Sequence, residues 1–143
     1  MVSRVRDILH QKELFSVEES QTVCDVARRM AELHVGAILV VQDGELRGVF
    51  SERDLLTRVV IEGLQPDTTP VARVMSTNIS TIDEAATLED AMESMKAHGC
   101  RHLPVMRDTK VVGFLSMRDL MNHELAYKTE ELHHMRAYIH GSA

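Results

Sequence analysis

Residues 48–55 read GVFSERDL and residues 113–120 read GFLSMRDL, one pattern met twice at a spacing of 65. Extending the comparison outward at that offset aligns 22–56 with 87–121 without a gap, and 10 of the 35 pairs are identical. Composition alone predicts roughly two identities, so the chain carries an internal duplication. The matches are Thr22/Thr87, Asp25/Asp90, Met30/Met95, Val40/Val105, Asp43/Asp108, Gly48/Gly113, Ser51/Ser116, Arg53/Arg118, Asp54/Asp119 and Leu55/Leu120. Half of them fall in the eight-residue stretch, which points to a constraint there beyond core packing.

Working outward, each copy shows the same elements. Val23, Val26, Ala27, Met30 and Leu33 recur at helical spacing, as do Leu88, Ala91, Met92 and Met95, which predicts an opening amphipathic helix in both. Thr22-x-x-Asp25 and Thr87-x-x-Asp90 read as capping-box-like starts. The apolar runs Ala37–Val41 and Leu46–Phe50 flank Asp43-Gly44, a strong hairpin signal. Leu103–Met106 and Val111–Leu115 repeat them around a turn at 108–110, and a helix begins after Ser51 and after Ser116. A short extended piece precedes each opening helix, Leu14–Val17 and Ile79–Ile82. The expected fold class is α+β: two tandem βαββα units packed with pseudo-twofold symmetry, since about 60 residues bury too little surface to be comfortable alone. The boundaries read as 1–62 for the first unit, 63–70 for a breaker-rich linker, 71–125 for the second unit and 126–143 for a C-terminal amphipathic helix or tail. The apolar piece Val2, Val5, Ile8, Leu9 has a partial echo in Val71, Val74, Met75.

With 143 residues, 44% of them hydrophobic and 27% charged, the chain has material for one ordinary globular core. No apolar run is long enough to span a membrane and residues 1–14 lack the apolar core of a signal peptide, so a cytoplasmic protein is expected. A net charge of −6 and five aromatic residues argue against nucleic acid polymers and anionic lipid. Cys24 and Cys100 form no metal or disulfide pattern.

The repeated G-h-h-S-x-R-D supports two chemistries. In one, Ser51 and Ser116 are helix N-caps, with Asp54 and Asp119 at the third helical position. In the other, the junction is a ligand site. Gly48 and Gly113 lie inside strands, where glycine is costly unless another group approaches its backbone closely. Free N–H groups and the helix dipole favour an oxygen-rich ligand. Arg53 and Arg118 suit phosphate, and a carboxylate can accept two hydrogen bonds from a ribose diol.

On these residues, together with Arg101-His102-Leu103-Pro104-Val105, residues 2–125 resemble a tandem pair of CBS (cystathionine β-synthase) domains, a Bateman module. The resemblance implies two clefts for adenosine-containing ligands: AMP, ADP, ATP or S-adenosylmethionine. It matches Asp54 and Asp119 to the ribose-binding aspartate, and Ser51 and Ser116 to the neighbouring Ser/Thr. It sets Phe15, Ser16, Val17, Ser80, Thr81, Ile82 and Pro104 around the adenine, and Arg101 and His102 near phosphate. Gly36-Ala37 and Leu39 replace Arg101-His102 and Pro104 in the first copy, so the clefts are expected to be unequal. Pro104 has a second reading as an edge-strand breaker, and Arg101-His102 as a solvated strand end.

No nucleophile and base are paired by the repeat, and His133, His134 and His140 complete no metal-ligand spacing, so neither an enzyme nor a metal site is expected. Leu132, Met135 and Ile139 give the tail an apolar stripe suited to a partner. The expected function is a non-catalytic sensor, a homodimer that binds an adenine nucleotide and signals to an unidentified protein effector. The alternative is a structural dimerisation module with empty clefts, its Ser/Asp pairs only capping helices.

Overall fold

The computed structural model describes residues 2–9 and 13–139, and of the last helix the side chains of 117–124 and 130–136. Ile139, read above as part of an apolar stripe, and Leu125, the last residue of the second unit as read above, lie outside the described side chains, and His140 lies outside the described residues. Two three-stranded sheets form, as the duplication requires. In the first, β1 (Ser16–Val17) runs parallel to β2 (Ala37–Gln42), which pairs antiparallel with β3 (Glu45–Ser51). In the second, β4 (Ile82–Asp83), β5 (His102–Arg107) and β6 (Lys110–Ser116) repeat that order. The α+β class and the two repeated units are therefore observed. Asp43 and Gly44 take φ of 53° and 78°, the two positive angles a tight two-residue hairpin demands. Val40/Val41 and Val105/Met106 carry the same register shift, so even the irregularity is duplicated.

Before the strands come α1 (Val5–Leu9), and, between β1 and β2, α2 (Val23–Leu33). The Thr22 hydroxyl accepts from the Asp25 N–H at 3.2 Å. The matching helix α4 (Leu88–His98) is capped both ways, since Asp90 also accepts from the Thr87 N–H. After β3, α3 (Glu52–Asp54) makes only one turn and continues as a π-helix over Leu55–Val60. The equivalent α5 (Met117–Ile139) is α-helical throughout. The π segment buries Val59 but leaves Leu56, Val60 and Ile61 more than half exposed.

Each core is completed by chain that precedes the other unit. Val71, Val74 and Met75 pack with Val17, Val23, Val26, Met30, Ile38 and Phe50, whereas Val5, Ile8 and Leu9 pack with Met95, Leu103, Val105 and Leu115. The docking is the same in both places. The Val71 N–H donates to Gln21 O and the Ala72 N–H to Glu19 O; the Val5 N–H donates to Ala86 O and the Arg6 N–H to Glu84 O. These exchanged arms repeat at a spacing of 66, one more than the units they serve. They also account for the two strand glycines. A β-carbon on Gly48 would stand 2.6 Å from Met75 Sδ, and one on Gly113 would stand 2.6 Å from Leu9 Cδ1. The close approach that glycine permits is therefore made by an arm, which corrects its assignment to a ligand.

Residues 37–40 are buried in succession, so β2 is covered on both faces, and α2 and the arm pack on the face that carries Ile38 and Val40. The sheets meet along β3 and β6. Segment 66–70 also serves structure: the Val23 N–H donates to Thr69 O and the Cys24 N–H to Pro66 O, which satisfies first-turn donors of α2.

Candidate functional site

The last residue of β3 is Ser51, whose backbone is still extended and whose side chain caps α3. Its hydroxyl accepts from the Asp54 N–H at 3.1 Å, and Asp54 Oδ2 accepts from the Ser51 N–H at 3.0 Å and from the Ser51 hydroxyl at 3.0 Å. The other oxygen, Oδ1, accepts from the Ser76 hydroxyl at 3.1 Å and lies 3.6 Å from Arg58 Nε. Asp54 is 8% exposed, a burial that this set of donors makes tolerable. Arg58 also donates to Met75 O at 3.0 Å, and Val49 and Ser76 exchange two backbone hydrogen bonds. The first corner is thus tied to the end of the second arm.

At the second corner the Asp119 N–H donates to Ser116 Oγ at 3.1 Å and the Ser116 N–H to Asp119 Oδ2 at 2.8 Å. Asp119 is half-buried, less enclosed than Asp54. His102 is the sheet partner of Ser116 and stacks at a tilt on Phe114, with ring centroids 5.2 Å apart. Arg101 is exposed one residue earlier and its carbonyl accepts from the Met117 N–H, so the two basic residues do stand at the second corner. Arg53 and Arg118 are exposed on the first turn of their helices.

Two of the first-turn donors at each corner, expected to be free for a ligand, are used by the protein. Besides the Asp54 and Asp119 amides, the Glu52 N–H donates to Gly36 O and the Met117 N–H to Arg101 O. Both corners are genuine helix caps, whatever else they do.

The remaining sequence candidates are spread out. Phe15 is half-buried against the first core and under the Arg29 guanidinium, 5.7 Å from its ring centre. Ser16 and Thr81 are exposed, Ser80 half-buried; Val17 belongs to the first core, and Ile82 packs on the second. Leu14, Phe15, Ser80 and Thr81 lie outside the strands, which are shorter than the extended pieces expected. Pro104 is buried in β5, the middle strand, beside the register shift, so the edge-strand reading does not hold. Its repeat-mate Leu39 pairs with Ser16, but proline has no N–H to offer Thr81, and β4 starts one residue later.

Two surface clefts flank the arms. One, of about 340 Å³, is lined by Thr57, Arg58, Glu62, Leu64, Arg73 and Val74; the other, of about 480 Å³, by Arg6, Asp7, Leu9, Glu84, Arg107 and Val112. Neither is lined by a corner serine or aspartate. Hydrogen bonding to Asp67, and then partial burial, push the Cys24 thiol up from its ordinary value, away from reactive thiolate. Among the described residues no group of three His, Cys, Asp or Glu is placed to hold a metal ion. Ser76 and Arg58 are the corner residues that sequence reasoning missed. The echo of Val5, Ile8 and Leu9 in Val71, Val74 and Met75 was the available signal, because it ends one residue before Ser76.

Two βαββα repeats with exchanged arms, sheets in contact and a capped Ser-x-x-Asp corner in each define a paired-repeat module. The CBS domain family matches residues 5–61 and 71–126, and the chain belongs to that family. It is 33% identical over 125 residues to the CBS domain-containing protein YhcV of Bacillus subtilis, covering 87% of this chain and 88% of that one. The crystal structure of the CBS domain NE2398 is similar, with a TM-score of 0.82 and 29% identity over 87% of this chain and 99% of the other. The CBS domain protein PAE2072 of Pyrobaculum aerophilum, solved in complex with AMP, has a TM-score of 0.73 and 29% identity over 81% of this chain and 88% of its own. Among the described residues no helix is long and apolar enough to cross a membrane.

Proposed function

We propose that this chain is a non-catalytic regulatory module that binds an adenine nucleotide of the AMP, ADP or ATP class and passes occupancy to a protein effector. In this reading Asp54 and Asp119 take the ribose hydroxyls beside Ser51 and Ser116, while Arg53, Arg118, Arg101 and His102 serve phosphate. Phe15, Ser16, Ser80, Thr81 and Pro104 surround the base, with Val17 and Ile82 contributing backbone. S-adenosylmethionine shares the adenosine part and competes for the same groups. The observation that carries the proposal is the Ser76 hydroxyl on Asp54 Oδ1, the geometry of one hydroxyl on a carboxylate that a ribose would reproduce. A ribose hydroxyl taking that oxygen displaces the arm that joins the units, so binding and unit arrangement are linked in one equilibrium. Support also comes from the AMP complex of the related PAE2072. The second corner, with Arg101 and His102 beside it and a less enclosed aspartate, is the preferred phosphate-bearing site.

The complete capping box at Ser51 and Asp54 favours a second reading, a structural dimerisation module in which these pairs only end strands and start helices. Thermal unfolding with AMP, ADP, ATP and S-adenosylmethionine separates the two. A ligand present at 100 times its Kd adds about 2.7 kcal/mol, a rise of several degrees in Tm. The nucleotide reading expects that rise for at least one ligand and its loss in Asp119→Ala; no rise with any of the four leaves the structural reading.

A further inference from the structure

The C-terminal half of α5 carries Leu132 and Met135 on one side, and none of the described residues covers them. Every side chain from Glu130 to Arg136 is exposed, and Met121, Leu132 and Met135 are 61%, 52% and 54% exposed. A single helix held out in water over this length is marginal, so its order calls for a partner. The sequence says which. Met121, Leu125, Leu132, Met135 and Ile139, with Lys128 filling the one gap, step by four and three in alternation, which is the a/d count of a coiled coil with one polar position. On that count Glu131 falls in the g slot before Leu132, and Arg136 in the e slot after Met135. In a parallel pair of identical helices, g of one faces e of the following heptad of the other, which sets Glu131 against Arg136 twice by symmetry. An antiparallel pair would set g against g, glutamate against glutamate, because Glu124 occupies the preceding g slot.

We propose that the free end of α5 is a self-association surface, and that its occupant is the same helix of a second copy in a parallel two-stranded coiled coil. This surface is separate from the Ser-x-x-Asp corners and needs no nucleotide. It turns the duplicated module into a dimer whose two copies point the same way, so that any partner meets two like faces side by side.

The test is oxidative cross-linking of the full chain without nucleotide. Leu132→Cys sits on the stripe and Glu130→Cys on the opposite, outward face; both residues are exposed, and both variants keep Cys24 and Cys100. The expected result is a disulfide-linked dimer at least about tenfold faster for Leu132→Cys than for Glu130→Cys; equal rates would overturn the proposal. Sedimentation then tests direction. Glu131→Arg or Arg136→Glu alone should weaken association roughly fivefold, and the double exchange should restore it. A double exchange no tighter than the single variants would overturn the parallel pairing. Neither result bears on nucleotide binding, which the thermal-shift series reads separately.

Discussion

Gly48→Ala and Gly113→Ala are the same substitution at equivalent positions of the repeat, and the structure predicts unequal costs. At Gly48 the new β-carbon would lie 2.6 Å from Met75 Sδ, 2.8 Å from Met75 Cγ and 2.9 Å from the backbone oxygen of Ser76. The methionine can swing aside, but the Ser76 carbonyl cannot move without breaking its bond from the Val49 N–H at 3.0 Å and straining the return bond at 2.9 Å. Overpacking of this kind costs about 1–3 kcal/mol, each lost hydrogen bond about 0.5–1.5 kcal/mol, and alanine recovers roughly 0.5–1 kcal/mol over glycine in a strand. The net cost at Gly48 is about 3 kcal/mol on those scales. At Gly113 the contacts are Leu9 Cδ1 at 2.6 Å, Cδ2 at 3.1 Å and Cγ at 3.4 Å, the far end of a half-buried side chain that can take another rotamer. There the strain and the gain nearly cancel, and the net cost stays below about 1 kcal/mol. Urea unfolding of both variants, followed by circular dichroism with m held against wild type, measures the difference. Costs equal within about 0.5 kcal/mol, or a larger cost at Gly113, would refute the claim that arm backbone at one site and arm side chain at the other decide the outcome.

The other predictions concern the corners and the surface. Ser51→Ala removes a hydroxyl that both accepts and donates, so it should cost about 0.5–2 kcal/mol of stability and more than Thr22→Ala, whose hydroxyl makes one capping bond; urea midpoints of the two variants check the order. Asp119→Ala should abolish any AMP- or ATP-induced rise in Tm while the protein stays folded in ligand-free circular dichroism. The hydrogen bond from the Arg107 guanidinium holds the Glu84 carboxyl below its ordinary 4.5. A lowered carboxylate pKa stabilises the fold above the ordinary value and is lost as pH falls through the lowered one. Wild type should therefore lose stability more steeply than Arg107→Ala between about pH 5 and pH 3, read from urea midpoints across that range.

The offset of 65 was legible because the two copies align without a gap, and the hairpin at Asp43-Gly44 and the caps at Thr22, Ser51, Thr87 and Ser116 because each depends on residues within a few positions of one another. What the sequence hid was tertiary. Gly48 and Gly113 announced a close approach, yet periodicity cannot say whether the approaching group is a ligand or Met75 and Leu9, because those side chains arrive from chain serving the other unit. The π-helix at Leu55–Val60 has the same residue pattern as an α-helix, and its exposed Leu56, Val60 and Ile61 belong to no stripe that marks it. Asp54 read from spacing as a cap and from the family resemblance as a ribose ligand. Only the structure adds Ser76 and Arg58, from 22 residues and one helical turn away, to the same carboxylate.

The exchanged arms bear on why the duplication works as one module. A first unit cut off after Pro70 would lose Val71, Val74 and Met75, which are 0%, 3% and 9% exposed. Burying each such side chain contributes about 1.5–3 kcal/mol, so the loss is comparable with the whole stability of a small domain, roughly 5–15 kcal/mol. The second unit depends in the same way on Val5, Ile8 and Leu9. Neither core can be complete while the other unit is displaced far from it, because the chain that fills one is the chain that leads into the other. Separating the units would therefore withdraw the arms from both cores. Ser76, at the end of the second arm and bonded to Asp54, ties the first corner to the arm that fills the first core.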